Sequence, residues 1–155
     1  MSDLNSIKYL YLKELSEPRD NSLRLVLAEA VLDSDGVSNS HPEIPELSKI
    51  LTQAIPIQTT AACRVFELKW KQYAAYLVTE ELVGSCGKYD DELFTGTVFR
   101  TYSKSHFLDH LARDTGGHTA ELVHYKLICL NHLIDVAAYE PPELMQVATA
   151  PDRIH

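Results

Sequence analysis

The run Cys63-Arg64-Val65-Phe66-Glu67-Leu68-Lys69-Trp70 constrains this chain more than any other segment. Val65, Glu67 and Lys69 alternate with Arg64, Phe66, Leu68 and Trp70. Successive side chains of a strand point to opposite faces, so this period of two places an apolar set on one face and a mostly charged set on the other. Residues from Gln72 to Thr79 continue in strand-favouring types, among them Tyr73, Tyr76, Leu77 and Val78. A sheet with one packed face is the centre of the expected fold.

Further elements group around that sheet. Ile7 to Leu15 is too densely apolar for a clean period of two and leaves strand and helix both open. Ser16-Glu17-Pro18-Arg19-Asp20-Asn21 has turn composition, with a proline that fixes φ and withdraws a donor. Ser22 to Val31 follows, with Leu23, Leu25, Leu27 and Glu29 sharing a face if the segment is extended, so a hairpin is expected. Asp33 to Pro45 reads as a loop. Glu46 to Ile55 reads as a short helix or an irregular strand. Gly84 to Glu92 is a polar loop, and Thr95 to Tyr102 reads as one strand of β-branched and aromatic residues. A helix over Ser105 to Asp114 is expected, capped by Ser103 or Ser105 and closed by Gly116-Gly117, with Phe107, Leu108 and Leu111 as its apolar stripe. Leu122 to Val136 is dense enough for one buried strand, or for two that meet near Asn131. The tail beyond Glu143 reads as loose. This order predicts a single α+β domain over residues 1–145, mostly antiparallel sheet with one or two helices packed on one face, and a loose tail over 146–155.

Length and composition narrow the function classes. At 155 residues, 45% hydrophobic and 23% charged, the chain suits one ordinary globular domain. A net charge of −8 opposes nonspecific nucleic-acid binding, which depends on Lys and Arg displacing counterions, and suits a basic partner. No run approaches the roughly 18 apolar residues that span a bilayer, so no membrane role is expected. The first residues lack the basic-then-apolar pattern of a secretory signal. Cys63, Cys86 and Cys129 are odd in number and lack Cys-x-x-Cys spacing, so they read as reduced thiols in a cytoplasmic protein.

Several segments carry a resemblance: Leu15-Ser16-Glu17-Pro18-Arg19 with Asn21 to Leu25; Phe66 with Trp70, Tyr73, Ala75 and Tyr76; Tyr102-Ser103-Lys104-Ser105; Cys129 to Val136; and Glu140-Pro141-Pro142-Glu143. Together they resemble a family of uncharacterised stand-alone bacterial proteins. Small acidic proteins of that kind are similar in size, charge and architecture to the immunity proteins that neutralise secreted toxins. The resemblance implies protein binding and no particular active residue.

The polar clusters are weighed by spacing. His106 and His110 share a helix face but lack the intervening glutamate of the zinc-peptidase motif, and Arg113 would repel a cation there, so a solvated face is expected and no metal. If the segment is one strand, Cys129 and His132 point to opposite faces, which separates a thiol from its base unless a bend intervenes; Cys129 reads as a buried structural thiol. Asn131 and His132 suit backbone groups at a bend. Tyr102-Ser103-Lys104-Ser105 enters a helix, where N–H groups, hydroxyls and a lysine could hold an anion, although helix capping explains the serines. Asp90-Asp91-Glu92 lacks the spacing and glycine of a calcium loop. No Walker loop, Gly-x-Gly-x-x-Gly or Gly-x-Ser-x-Gly is present, and no cofactor is expected.

These features lead to a non-catalytic protein-binding module, immunity-like, that offers Asp90, Asp91 and Glu92 to a basic toxin. The binding residues expected are Asp90, Asp91, Glu92, Lys104, His106 and His132. The alternative is a small enzyme or ligand-binding domain with a pocket near Tyr102, Lys104, His106 and His132. A homodimer through a sheet edge or face is a third arrangement.

Overall fold

A computed structural model describes residues 3–32, 57–84 and 91–147. The expected loop at Asp33 to Pro45, the expected element at Glu46 to Ile55, Asp90 and the end of the tail from residue 148 lie outside the described residues. Among the described residues no helix is long and apolar enough to cross a membrane.

The described residues form one domain of antiparallel strands in two five-stranded sheets. In the first sheet, β1 (Tyr9–Ser16), β2 (Leu23–Leu32), β4 (Val65–Trp70) and β10 (Glu143–Val147) lie in that order, and the short β3 (Ile57–Gln58) pairs with the end of β2. In the second, the order is β5 (Tyr73–Glu80), β9 (His132–Ala138), β8 (Val123–Ile128), β7 (Phe99–Lys104) and β6 (Leu93–Thr95). A four-residue helix α1 (Glu81–Gly84) follows β5, and α2 (His106–Asp114) joins β7 to β8.

The core lies between the sheets because their facing strands alternate as expected. Register pairs Leu23 with Trp70, Leu25 with Leu68 and Leu27 with Phe66, so one apolar face is built from two strands. Tyr125, Leu127, Ile134, Val136 and Ala138 of the second sheet join the same cluster. Trp70 meets Tyr125 across the gap with ring centroids 6.0 Å apart. Fully burying each large apolar side chain contributes about 1.5–3 kcal/mol, which makes this face the main source of stability. On the opposite face of β4, Glu67 is held by Arg24 and Lys69, each at 2.6 Å, which keeps its carboxyl below the usual range.

Two sheets replace the single helix-backed sheet expected from the element order, because β4 and β5 are separated only by Lys71 and Gln72 and still enter different sheets. The corner is tied by Tyr73 N–H, which donates to Asn21 O at 2.8 Å, and by the Tyr73 hydroxyl, which donates to Glu17. Asn21 has φ +61°, a left-handed turn conformation that asparagine tolerates.

Other differences have local causes. Of Ile7 to Leu15, Tyr9 to Leu15 is strand: a bulge between Leu12 and Glu14 shifts the register by one residue, so Leu12 and Leu15 both pack against the core and the period of two is broken. Thr95 to Tyr102 is two strands rather than one. Gly96, at φ +97°, turns the chain between β6 and β7, and a Cβ there would come 2.1 Å from Phe99 O. Leu122 to Val136 takes the second of its two expected forms, two strands that meet near Asn131. Asn131 lies in their turn and acts as a strand partner for β1, accepting from Leu12 N at 3.0 Å and donating to Leu12 O at 2.9 Å. Gln146 and Val147, expected in the loose tail, pair with Phe66 and Val65.

The helix begins as predicted, with Ser105 as cap accepting from Leu108 N at 3.1 Å; Ser103 instead donates to Leu93 O. Gly116 and Gly117, both at positive φ, follow its end. No residue of α2 is fully buried. The helix sits on the outer face of the second sheet, where Phe107 meets His124 at 5.0 Å.

Candidate functional site

Alternation along the second sheet produces an outer face as well as a core face. Tyr125 and Leu127 point inward, so His124, Lys126 and Ile128 point outward. On β9 the same rule sends Leu133 and Asp135 outward, and on β7 it sends Arg100 and Tyr102. Register then aligns these residues in rows. Arg100 is opposite Lys126, Lys126 is opposite Asp135, and Asp135 is opposite Leu77. One turn along, Tyr102 is opposite His124.

A cavity of about 900 Å³ lies over this face. Its floor includes Arg100, Tyr102, His124, Lys126, Leu133 and Asp135, and Phe94, Phe107 and Leu77 stand around them. Such a volume falls within the range of sites that enclose a small organic ligand.

The floor contains a largely buried polar network. His124 Nε2 and Asp135 Oδ1 are 2.8 Å apart, and Lys126 Nζ lies 3.3 Å from the same oxygen. The side chains of His124 and Asp135 are 3% and 9% exposed, so the carboxylate is the group that makes the two burials tolerable. His124 Nδ1 is buried with no hydrogen-bond partner among the described residues. The ring is clamped by stacking on Tyr102 at 4.3 Å and by Phe107 of α2. Phe94 extends the aromatic layer, 5.0 Å from Tyr102 and 4.3 Å beneath the guanidinium of Arg100.

The residues singled out by spacing are divided by the fold. Tyr102, His106 and Glu92 line the cavity, whereas Lys104 and His132 do not. A pocket uniting Tyr102, Lys104, His106 and His132 is therefore not formed, because His132 opens β9 opposite Glu80, on the far side of β8 from β7. Asp91 and Glu92 serve the start of α2: Asp91 Oδ1 is 2.8 Å from His106 Nε2, and Glu92 accepts from His106 N–H at 2.9 Å. A carboxylate there also meets the positive end of the helix dipole. The expected anion site at Tyr102 to Ser105 thus has a protein carboxylate at its N–H group. His110 turns to Asp114 at 3.4 Å instead of joining His106. Among the described residues, no group of three or more His, Cys, Asp and Glu could hold a metal. Cys129 is buried, which pushes its thiol up to about 12 and keeps it unreactive.

His124, Lys126 and Arg100 were not anticipated from the sequence. The available signal was polar residues alternating with Tyr125 and Leu127 in an otherwise apolar strand, facing a strand that carries Asp135.

Asp91 raises the pKa of His106 above its ordinary 6.5, and His106 lowers that of Asp91 below 3.8. The histidine contribution is complete below its unfolded value and is lost as pH rises through the higher folded value. The aspartate contribution is present above its unfolded value and is lost as pH falls through the lower folded one. The contact therefore persists between the two folded values. An NMR titration is expected to place the His106 midpoint above 6.5 and to move it back toward 6.5 in Asp91→Asn. A midpoint indifferent to that substitution would show the contact absent in solution.

The fold and the cavity define a class: a two-sheet antiparallel β protein with a ligand-sized cavity on the outer face of one sheet. No protein-family model, no curated protein and no solved structure matches the chain.

Proposed function

We propose that this chain is a non-catalytic binding protein whose ligand is a small molecule held in the cavity on the outer face of the second sheet. The observation that carries the reading is the coincidence of a cavity of about 900 Å³ with a buried polar network in its floor. Buried polar networks are costly unless satisfied, and this one is aligned by two neighbouring strands rather than by a loop. Binding is favoured over catalysis because His124 Nε2 is taken up by Asp135 and Nδ1 is closed to solvent. A general base needs an accessible nitrogen within hydrogen-bond reach of its substrate.

The neutral fluorophore N-phenylnaphthylamine tests this reading. It is expected to bind the wild-type chain with saturable fluorescence enhancement, and to lose that binding in Leu77→Trp. Leu77 is half-exposed at the cavity wall, so an indole there fills the space without opening the core. Absence of saturable binding, or binding that Leu77→Trp leaves unchanged, would remove the cavity as a ligand site.

A protein-binding, immunity-like role has a separate observation in its favour. Leu82, Val83 and Leu93 are 71%, 69% and 58% exposed, and the acidic Asp91 lies two residues before Leu93 in the chain. Apolar side chains exposed to that degree suit a docking surface, and the carboxylates suit a basic toxin. This reading requires a toxin gene beside the gene for this chain in genomes that carry it. Consistent absence of such a neighbour would leave it without support.

A further inference from the structure

We infer that the ligand of the cavity is an amphipathic monoanion, a carboxylate on a flat apolar body, whose charged end is taken by Arg100 beside Lys126. The inference rests on the small-molecule reading above and specifies the chemistry of that site.

Its basis is an unbalanced pair of cations. Arg100 and Lys126 are direct cross-strand partners on β7 and β8. Like charges placed opposite one another in an antiparallel pair disfavour the sheet. Asp135 offsets Lys126 at 3.3 Å but also holds His124 at 2.8 Å. Arg100 has no carboxylate within ion-pair distance among the described residues. Its Nε donates to Thr97 O at 3.0 Å, and its plane rests on Phe94. In a chain of net charge −8, two adjacent cations on a cavity wall form a site where an anion relieves repulsion and gains charge-assisted hydrogen bonds.

The rest of the lining sets the charge and shape of that anion. Lys8 is a third cation, and Glu81, Glu92 and Asp135 are three carboxylates. Glu92 is engaged by the helix start and Asp135 by the network, yet both still oppose extra negative charge nearby. A monoanion is accommodated where a phosphate dianion meets more repulsion. The aromatic layer of Phe94, Tyr102 and Phe107, with Leu77, Ile128 and Leu133, provides apolar walls for a planar body. Arginine is suited to the charged end because its fork matches a planar carboxylate in two bonds.

Two probes that differ mainly in charge test the inference. Anilinonaphthalene sulfonate is a monoanion, and N-phenylnaphthylamine is its uncharged counterpart. The wild-type chain is expected to bind the sulfonate at least about tenfold more tightly than the amine, the scale of one charge-assisted bond. Arg100→Gln is expected to abolish the difference between the two probes, and Arg100→Lys to retain part of it. The far-ultraviolet circular dichroism and melting temperature of each variant show whether it is folded, and Leu77→Trp shows whether the bound sulfonate is in the cavity. If the amine binds the cavity and the sulfonate has no advantage, or keeps it in Arg100→Gln, the anion inference fails and the cavity reading stands. If neither probe binds, the cavity reading fails and the inference falls with it.

Discussion

Asp135→Ala is expected to lower the stability of the folded chain by about 3 kcal/mol, the scale seen when one partner of a buried charged pair is removed. Asp135 is the only carboxylate in ion-pair contact with either His124 or Lys126 among the described residues. Its removal leaves both imidazole nitrogens of His124 unpaired in a side chain that is 3% exposed. It also leaves Lys126 opposite Arg100 with no counter-charge. For a chain of this size that loss corresponds to roughly 6–12 °C in melting temperature. Asp135→Asn retains the volume and an accepting oxygen but lacks the charge, so its cost should be intermediate. Urea unfolding followed by circular dichroism measures both. A loss below about 1 kcal/mol for the alanine variant would mean the network is not a structural unit.

Trp70→Ala should cost more, about 4 kcal/mol, because it removes the largest side chain from the centre of the core. Trp70 is 1% exposed, pairs with Leu23 in the first sheet and meets Tyr125 of the second. The vacated space is walled by residues of both sheets, which limits how far it can collapse. Such a loss is a large fraction of the 5–15 kcal/mol typical of a folded domain. Trp70→Phe is the informative control. The indole Nε1 is buried with no partner among the described residues, so phenylalanine removes an unsatisfied N–H along with part of the ring. Its cost should stay below about 1.5 kcal/mol, as for other core exchanges that nearly keep volume. Because Trp70 is the single tryptophan, the comparison needs circular dichroism rather than intrinsic tryptophan fluorescence. Equal losses in the two variants would indicate that the indole N–H has a partner in solution.

The parts of the fold legible in the sequence are those governed by neighbours along the chain. Alternation in Cys63 to Trp70 assigned Phe66, Leu68 and Trp70 to the buried face, where they lie. The helix start at Ser105 followed from a local side-chain-to-backbone bond. Legibility ended where the pattern was interrupted. The bulge near Lys13 hid β1, and Gly96 was read as part of a strand although its φ of +97° makes it a turn.

The candidate site was legible only in fragments. Tyr102 was singled out at a strand-to-helix junction, His106 for its helix spacing to His110 and Glu92 as part of an acidic loop, and all three line the cavity. Lys104 belongs to the same junction as Tyr102 but does not line the cavity, and strand order separates His132 from both. His124, Lys126 and Arg100 went unmarked because their meeting with one another and with Asp135 depends on pairing between strands.

By itself the sequence determined that the chain builds antiparallel strands with one apolar face, a capped helix after Tyr102, and a buried thiol at Cys129. Only the tertiary structure decided that the strands divide into two sheets, and that Arg100, Lys126 and Asp135 form one row across three of them. The physical reason is register. Alternation tells which residues share a face of their own strand, whereas pairing between strands decides which of them meet, and a shift of one residue would turn the whole row to the other side.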